Sequence, residues 1–211
     1  MTGRAAGQSE RTVRFVELAR TIRRAQPRCG DVRIVAVDGP GGAGKSEFAD
    51  RLAQVLGGVP IVHTDDFASW DNPHGWWNRF ELEVLVPLER GKPVRYQPYD
   101  WSARRLGGWQ EIPRSGVVII EGVLSSRQAA VDRLTLAIWV ETPCVERLAR
   151  GIARDGESMR ATWEAWMVEE DSFFARDGTR ERAHLIVDGS PSLPHDREAE
   201  FLSLIEGEAV T

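Results

Sequence analysis

GPGGAGKS, residues 39–46, fits the pattern G-x-x-x-x-G-K-[ST] at every constrained position, and the rest of the chain is read outward from it. Before it, Val32, Ile34, Val35, Ala36 and Val37 form a short apolar run rich in β-branched residues, the composition of a buried parallel strand. After it, Phe48, Leu52, Val55 and Leu56 recur at helical spacing until Gly57 and Gly58 stop the helix. Strand, glycine loop and helix are the context a phosphate-binding loop requires. Gly39, Gly41, Gly42 and Gly44, with Ala43 among them, let successive backbone N–H groups turn onto phosphate oxygens beside a helix N-terminus. Lys45 is expected to bridge the β- and γ-phosphates, and the Ser46 hydroxyl to help hold Mg²⁺. Glu47, which follows, completes the expected nucleotide-binding stretch, although a small or apolar residue is usual there.

With 211 residues the chain suits one α/β domain with a small inserted lobe. A net charge of −5 and a pI near 5.5 argue against a surface built for nucleic acid. Cys29 and Cys144 lie far apart with no metal-ligand grouping and read as reduced thiols. No apolar stretch reaches membrane-spanning length, and residues 1–8 carry no apolar signal core, so a cytoplasmic protein without a membrane partner is expected. Nothing in the chain sets its oligomeric state.

Elsewhere, Ser9 caps an expected first helix bearing Val13, Val16, Ala19 and Ile22. A strand over residues 60–64 delivers Asp65 and Asp66 at its C-terminal end, where ligands sit in doubly wound sheets. Asp65 is the expected partner of an acceptor hydroxyl; capping of the next turn suits Asp66 better. Five of the eight tryptophans fall within a lobe at about residues 67–113, either as acceptor contacts or, for Trp76, Trp77 and Trp109, as a satellite core. Within it, residues 79–90 read as an amphipathic helix interrupted by Pro87, and residues 94–97 and 109–112 as a hairpin. The apolar run 117–120 ends in Glu121, a second acidic group at a strand end and an expected Mg²⁺ ligand with Ser46 and Asp65.

A short helix near residues 126–131 and a strand over 134–140 come next. Thr142 with Pro143 signals a helix start. That helix carries Arg147, Arg150 and Arg154 on one face, either solvated and paired with Glu146 and Asp155 or closing over an anion as a lid at about residues 150–159. The glycines at 151 and 156 read as loosening it. A helix over residues 159–176 with a core stripe of Met159, Trp163, Trp166, Met167 and Phe174, a strand over 184–187, and a last helix with Phe201, Leu202 and Ile205 complete the expected elements.

Taken in order, GPGGAGKS, HTDDF, WDNP, Tyr99 to Trp101, Glu121-Gly122 and RLARGIARD resemble the uridine kinase and phosphoribulokinase group of P-loop kinases over about residues 32–155. The resemblance implies a three-layer α/β/α P-loop NTPase fold with a five-stranded parallel sheet in order 2-3-1-4-5. It implies an ATP-dependent, Mg²⁺-using kinase acting on a hydroxyl of a small molecule, a nucleoside such as uridine or cytidine. Asp65 matches the catalytic aspartate, Asp71 the ribose-binding one, Tyr99 and Trp101 the aromatic border of the nucleoside, and Arg150 and Arg154 the lid arginines. Two departures stand out: Ala68 replaces a usual tyrosine, and Arg104 stands where a base-contacting histidine is expected. Arginine pairs well with carboxylate and phosphate, so an anionic acceptor is the alternative; an ATP-binding regulatory protein or ATPase is the other.

Overall fold

A computed structural model describes residues 10–204. The chain runs through β1 (Arg11–Arg14), α1 (Phe15–Arg24), β2 (Arg33–Asp38), α2 (Lys45–Val55) and β3 (Ile61–His63). The lobe follows with α3 (Trp77–Phe80), α4 (Val86–Glu89), β4 (Val94–Tyr96), β5 (Tyr99–Asp100), β6 (Arg105–Leu106) and β7 (Gln110–Ile112). The chain then returns to the sheet as β8 (Val117–Glu121) and β9 (Leu134–Glu141), α5 (Cys144–Asp155), α6 (Arg160–Asp177), β10 (Leu185–Asp188) and β11 (Glu200–Ser203).

The central sheet stands in the order β1-β11-β10-β9-β2-β8-β3. It therefore has seven strands where five were expected: β3, β8, β2, β9 and β10 pair in parallel, and β11 and β1 add antiparallel strands at one edge. Strand β2 lies between β8 and β9, and its apolar residues are buried against layers on both faces, which is what an unbroken apolar run of this length demands. On one face Phe15, Phe48 and Phe201 meet with ring centroids 5.1–5.2 Å apart, joining α1, α2 and β11. On the other, residues of the lobe and Phe174 of α6 pack against Ile34, Ile120 and Trp139.

Several expected elements take another form. The last helix is instead strand β11, because residues 200–203 pair with both β1 and β10. Ile205 and the Ser9 cap fall outside the described residues. The first helix starts only at Phe15, since residues 11–14 are drawn into the sheet by β11. The lobe helix is continuous but irregular: a π-helical stretch, Glu81–Leu85, lies between α3 and α4, and Pro87 sits in the first turn of α4. Leu82 is exposed while Phe80, Val84, Leu85 and Leu88 are buried. The expected helix near residue 126 is a 3-10 segment, Gln128–Arg133. The lobe hairpin forms as β4 with β7, in the register Val94↔Ile112 and Tyr96↔Gln110. Trp76 is buried core and Trp77 packs on it, whereas Trp109 is exposed beneath the Arg95 guanidinium.

Candidate nucleotide and acceptor site

Because β2, β3 and β8 are parallel neighbours, their C-terminal ends bring the glycine loop, Asp65 and Glu121 to one edge of the sheet. There they wall a single cavity of about 760 Å³. Gly41, Gly42, Ala43, Gly44, Lys45, Ser46 and Glu47 form one side of it. The loop is held in shape by its surroundings. Gly42 has φ +76°, and a Cβ there would lie 2.6 Å from the Arg147 carbonyl oxygen, so only glycine fits. The Thr142 hydroxyl donates to the Ala43 carbonyl at 2.9 Å. It therefore braces the loop and does not cap α5, whose cap position is Pro143 with no side-chain bond. Gly39 is turned differently: its N–H donates to Asp38 Oδ1 at 2.7 Å, and it does not line the cavity.

Asp38, fully buried at the end of β2, also accepts from the Leu124 N–H at 2.9 Å, the Ser126 N–H at 2.7 Å and the Ser126 hydroxyl at 2.8 Å. It thus ties the root of the phosphate loop to the segment after Glu121. Burial pushes its carboxyl up to about 6, against the opposing pull of these donors and of Lys45. Lys45, itself buried, donates from Nζ to the Pro40 carbonyl at 3.0 Å.

Asp65 does not sit on the strand itself but on a 3-10 turn, Thr64–Asp66, directly after β3. It is exposed to the cavity, where enclosure by the walls raises its carboxyl above the ordinary value while Lys45 opposes the shift. Asp66 turns away and accepts from the Tyr96 hydroxyl at 2.8 Å, a structural bond. The Ser46 hydroxyl donates to Glu121 Oε1 at 3.2 Å, and His63 Nδ1 lies 2.7 Å from Glu121 Oε2. Burial raises the Glu121 carboxyl, but His63, Lys45 and Ser46 together outweigh it and hold it below its ordinary value, so it is ionised.

Of the arginines expected to form a lid, Arg150 and Arg154 line the cavity. Arg147 instead turns into the protein, buried 3.6 Å from Asp171 and 4.0 Å from Glu170. The segment expected to be loose is helical through Asp155, and Gly156 ends it. Gly151 is there for packing: a Cβ would fall 2.4 Å from the Trp163 ring. Arg150 donates to the carbonyls of Gly42 (3.3 Å) and Gly189 (3.0 Å), and Arg154 makes a two-point pair with Asp155 at 2.8 and 3.0 Å. Residues 188–190 thus reach the phosphate loop through Arg150.

Among the expected acceptor contacts, Asp65 and Trp101 line the cavity. Asp71 is exposed outside it, Tyr99 stands edge-on behind Trp101 at 5.3 Å, and Arg104 is exposed with its guanidinium 5.4 Å from the Trp70 ring centre. His74 and Glu170, not singled out from the sequence, complete the wall with Trp70 and Pro73 of the WDNP stretch and Met159, Trp163 and Trp166 of the expected core stripe. Glu170 accepts the Gly41 N–H at 2.9 Å, and burial raises its carboxyl. Spacing held the signal for α6, since Met159, Trp163 and Trp166 share one helix face.

Among the described residues no three His, Cys, Asp or Glu side chains gather into a metal cage. Ser46, Glu121 and Asp65 line the cavity with hard oxygens, a donor set that suits Mg²⁺ bound chiefly through waters and phosphates.

The architecture defines a class of fold: the chain has a P-loop kinase-like α/β fold. The solved structure of a candidate uridine kinase from Bacillus stearothermophilus superposes with a TM-score of 0.60 at 15% identity, covering 82% of this chain and 96% of that one. A candidate fructose transport system kinase from Silicibacter sp. TM1040 gives 0.62 at 19%, covering 77% and 94%. In sequence, the chain is 26% identical over 157 residues to inorganic pyrophosphatase TTM2 of Arabidopsis thaliana and 27% identical over 138 residues to TTM1. Those stretches are 68% and 59% of this chain but only 23% and 22% of the two relatives, so the chain spans less than a quarter of their length. No family model matches the chain. Among the described residues no helix is long and apolar enough to cross a membrane.

Proposed function

We propose that this protein transfers the γ-phosphoryl group of ATP to a hydroxyl of a small molecule. The observation that carries this is the single cavity shared by the phosphate loop, Lys45, the Ser46–Glu121 pair and Asp65. Loop amides between Gly42 and Ser46 and the Lys45 ammonium hold the phosphate chain. Arg150 and Arg154 offset the charge that spreads over the moving phosphoryl group. Mg²⁺, when bound at Ser46, Glu121 and Asp65, supplies further charge neutralisation. Asp65 orients the acceptor hydroxyl and takes its proton as the new O–P bond forms and the bond from the γ-phosphorus to the β–γ bridging oxygen breaks, releasing ADP.

Nucleosides such as uridine and cytidine are the acceptors that the sequence resemblance favours. Their recognition would draw on Asp71 and Tyr99, which lie off the cavity, so the reading stops at a small-molecule hydroxyl. Anionic acceptors would draw on Arg104, which stacks on Trp70 outside it. The names of the plant relatives support a second reading, hydrolysis of a phosphoanhydride by the same phosphate cradle.

Acceptor-dependent ADP release, with phosphate release from ATP and pyrophosphate followed in parallel, decides between them. Transfer predicts ADP formation accelerated by an acceptor and lowered about 10²–10³-fold in Lys45→Ala. Brisk phosphate release that no acceptor alters would replace transfer by hydrolysis.

A further inference from the structure

The acceptor end of the cavity has a chemistry of its own. Ala68, Trp70, Pro73, Trp101, Met159 and Trp166 line it. An indole carries one donor, and two of these are already used: Trp70 Nε1 donates to the Trp101 carbonyl at 3.0 Å, and Trp101 Nε1 to the Asp65 carbonyl at 3.2 Å. Those rings therefore offer a ligand hydrocarbon only. Trp70 also packs against Trp101 and Trp166 at 5.3 and 5.6 Å, so the wall is a continuous aromatic surface and not a set of isolated side chains.

Charge is arranged to match. The cations that line the cavity are Lys45, Arg150 and Arg154: Lys45 and Arg150 are bonded to loop carbonyls, and Arg154 is paired with Asp155 within electrostatic reach of Asp65. Arg104 covers the Trp70 ring but does not line the cavity. His74 is half-buried, and burial lowers its basicity while Glu169, 3.6 Å away, opposes the shift. A carboxylate or phosphate set against that aromatic wall would thus meet only cations already bonded to protein oxygens, and several sugar hydroxyls would face carbon and lose their hydrogen bonds to water.

We infer that the acceptor is an uncharged alcohol with an aromatic or otherwise apolar body, seated on the Trp70–Trp101–Trp166 wall with its hydroxyl toward Asp65. This deepens the kinase reading and rests on it. The acceptor oxygen bonds to the γ-phosphorus, its proton passes to Asp65, and ADP leaves with the electron pair of the broken P–O bond.

Acceptor-dependent ADP release tests this with 2-phenylethanol and indole-3-ethanol against uridine, ribose 5-phosphate and glycerate, at saturating ATP and Mg²⁺. The two aromatic alcohols should each accelerate ADP release at least tenfold over the acceptor-free rate and quench tryptophan emission. Trp101→Ala should raise their KM at least tenfold without altering the KM for ATP, and Trp101→Phe should restore most of the loss. Trp166→Ala, which breaks neither indole bond named above, gives the same readout should Trp101→Ala fail to fold. Acceleration confined to uridine, ribose 5-phosphate or glycerate overturns the inference and leaves the kinase reading standing. Acceleration by none of the five, with ATP bound, overturns the inference too. Absence of ATP binding removes the kinase reading itself.

Discussion

The two ends of the cavity are built in opposite ways. At the end proposed for phosphate the wall is one contiguous stretch, Gly41 to Glu47, and the surroundings brace it: Asp38 at the root, Thr142 on Ala43, Arg150 on Gly42. At the end proposed for the acceptor the wall is assembled from separate stretches: Trp70 and Trp101 lie on two turns and Trp166 on α6, and they meet only in the folded chain. A contiguous cradle can be read from a motif because amide geometry carries it. An assembled wall is defined by what its side chains exclude, and no single motif carries it.

That contrast can be broken or sharpened by substitution. The largest effect belongs to the residue at the junction. Asp65→Asn should lower kcat by about 10²–10⁴-fold while ATP affinity, measured by titration calorimetry, largely holds; a large loss of ATP affinity would make metal binding, not proton transfer, the chief role of Asp65.

Next comes the root of the cradle. The carboxyl of Asp38 stands at about 6 in the folded protein, above its ordinary 3.8. The stability it contributes is therefore full below about pH 4 and is lost as pH rises through 6, by up to about 3 kcal/mol. Urea midpoints measured from pH 4 to 7 should show that fall, and Asp38→Asn should flatten it.

A smaller effect tests whether the two ends are mechanically joined. In Gly151→Ala the new methyl group must displace the Trp163 ring, which also packs on Gly41 of the loop. Overpacking of this kind costs about 1–3 kcal/mol, more than alanine gains over glycine in a helix, and thermal denaturation would reveal it. The smallest effect is expected at Glu47. Its carboxylate pairs with Arg51 one turn on at 2.7 Å, and both partners are partly or largely exposed. Glu47→Gln should shift stability by less than about 0.5 kcal/mol and leave ATP binding intact.

What was legible in the sequence follows the same division. The strand, loop and helix, the carboxylates after β3 and β8, and the lobe hairpin were carried by local spacing. The edge strands were not. Arg11–Arg14 and Glu200–Ser203 have no telling alternation, and each becomes a strand because the other is there. Thr142 before Pro143 reads as a cap, yet its hydroxyl has a better use at the Ala43 carbonyl, which only the tertiary fold supplies. Gly151 reads as a hinge when its role is to admit an indole. Asp38 could have been suspected, since a carboxylate closing an otherwise apolar buried strand needs several donors to stay there.

The pairing of β1 with β11 has a kinetic consequence. Arg11 lies opposite Ser203, so that ladder closes nearly the whole described chain into one loop, the costliest contact in the molecule to form by random search. It should be among the last to assemble, and its amides should exchange with deuterium sooner than those of the parallel strands, opening at the sheet's edge while the nucleotide cradle remains closed.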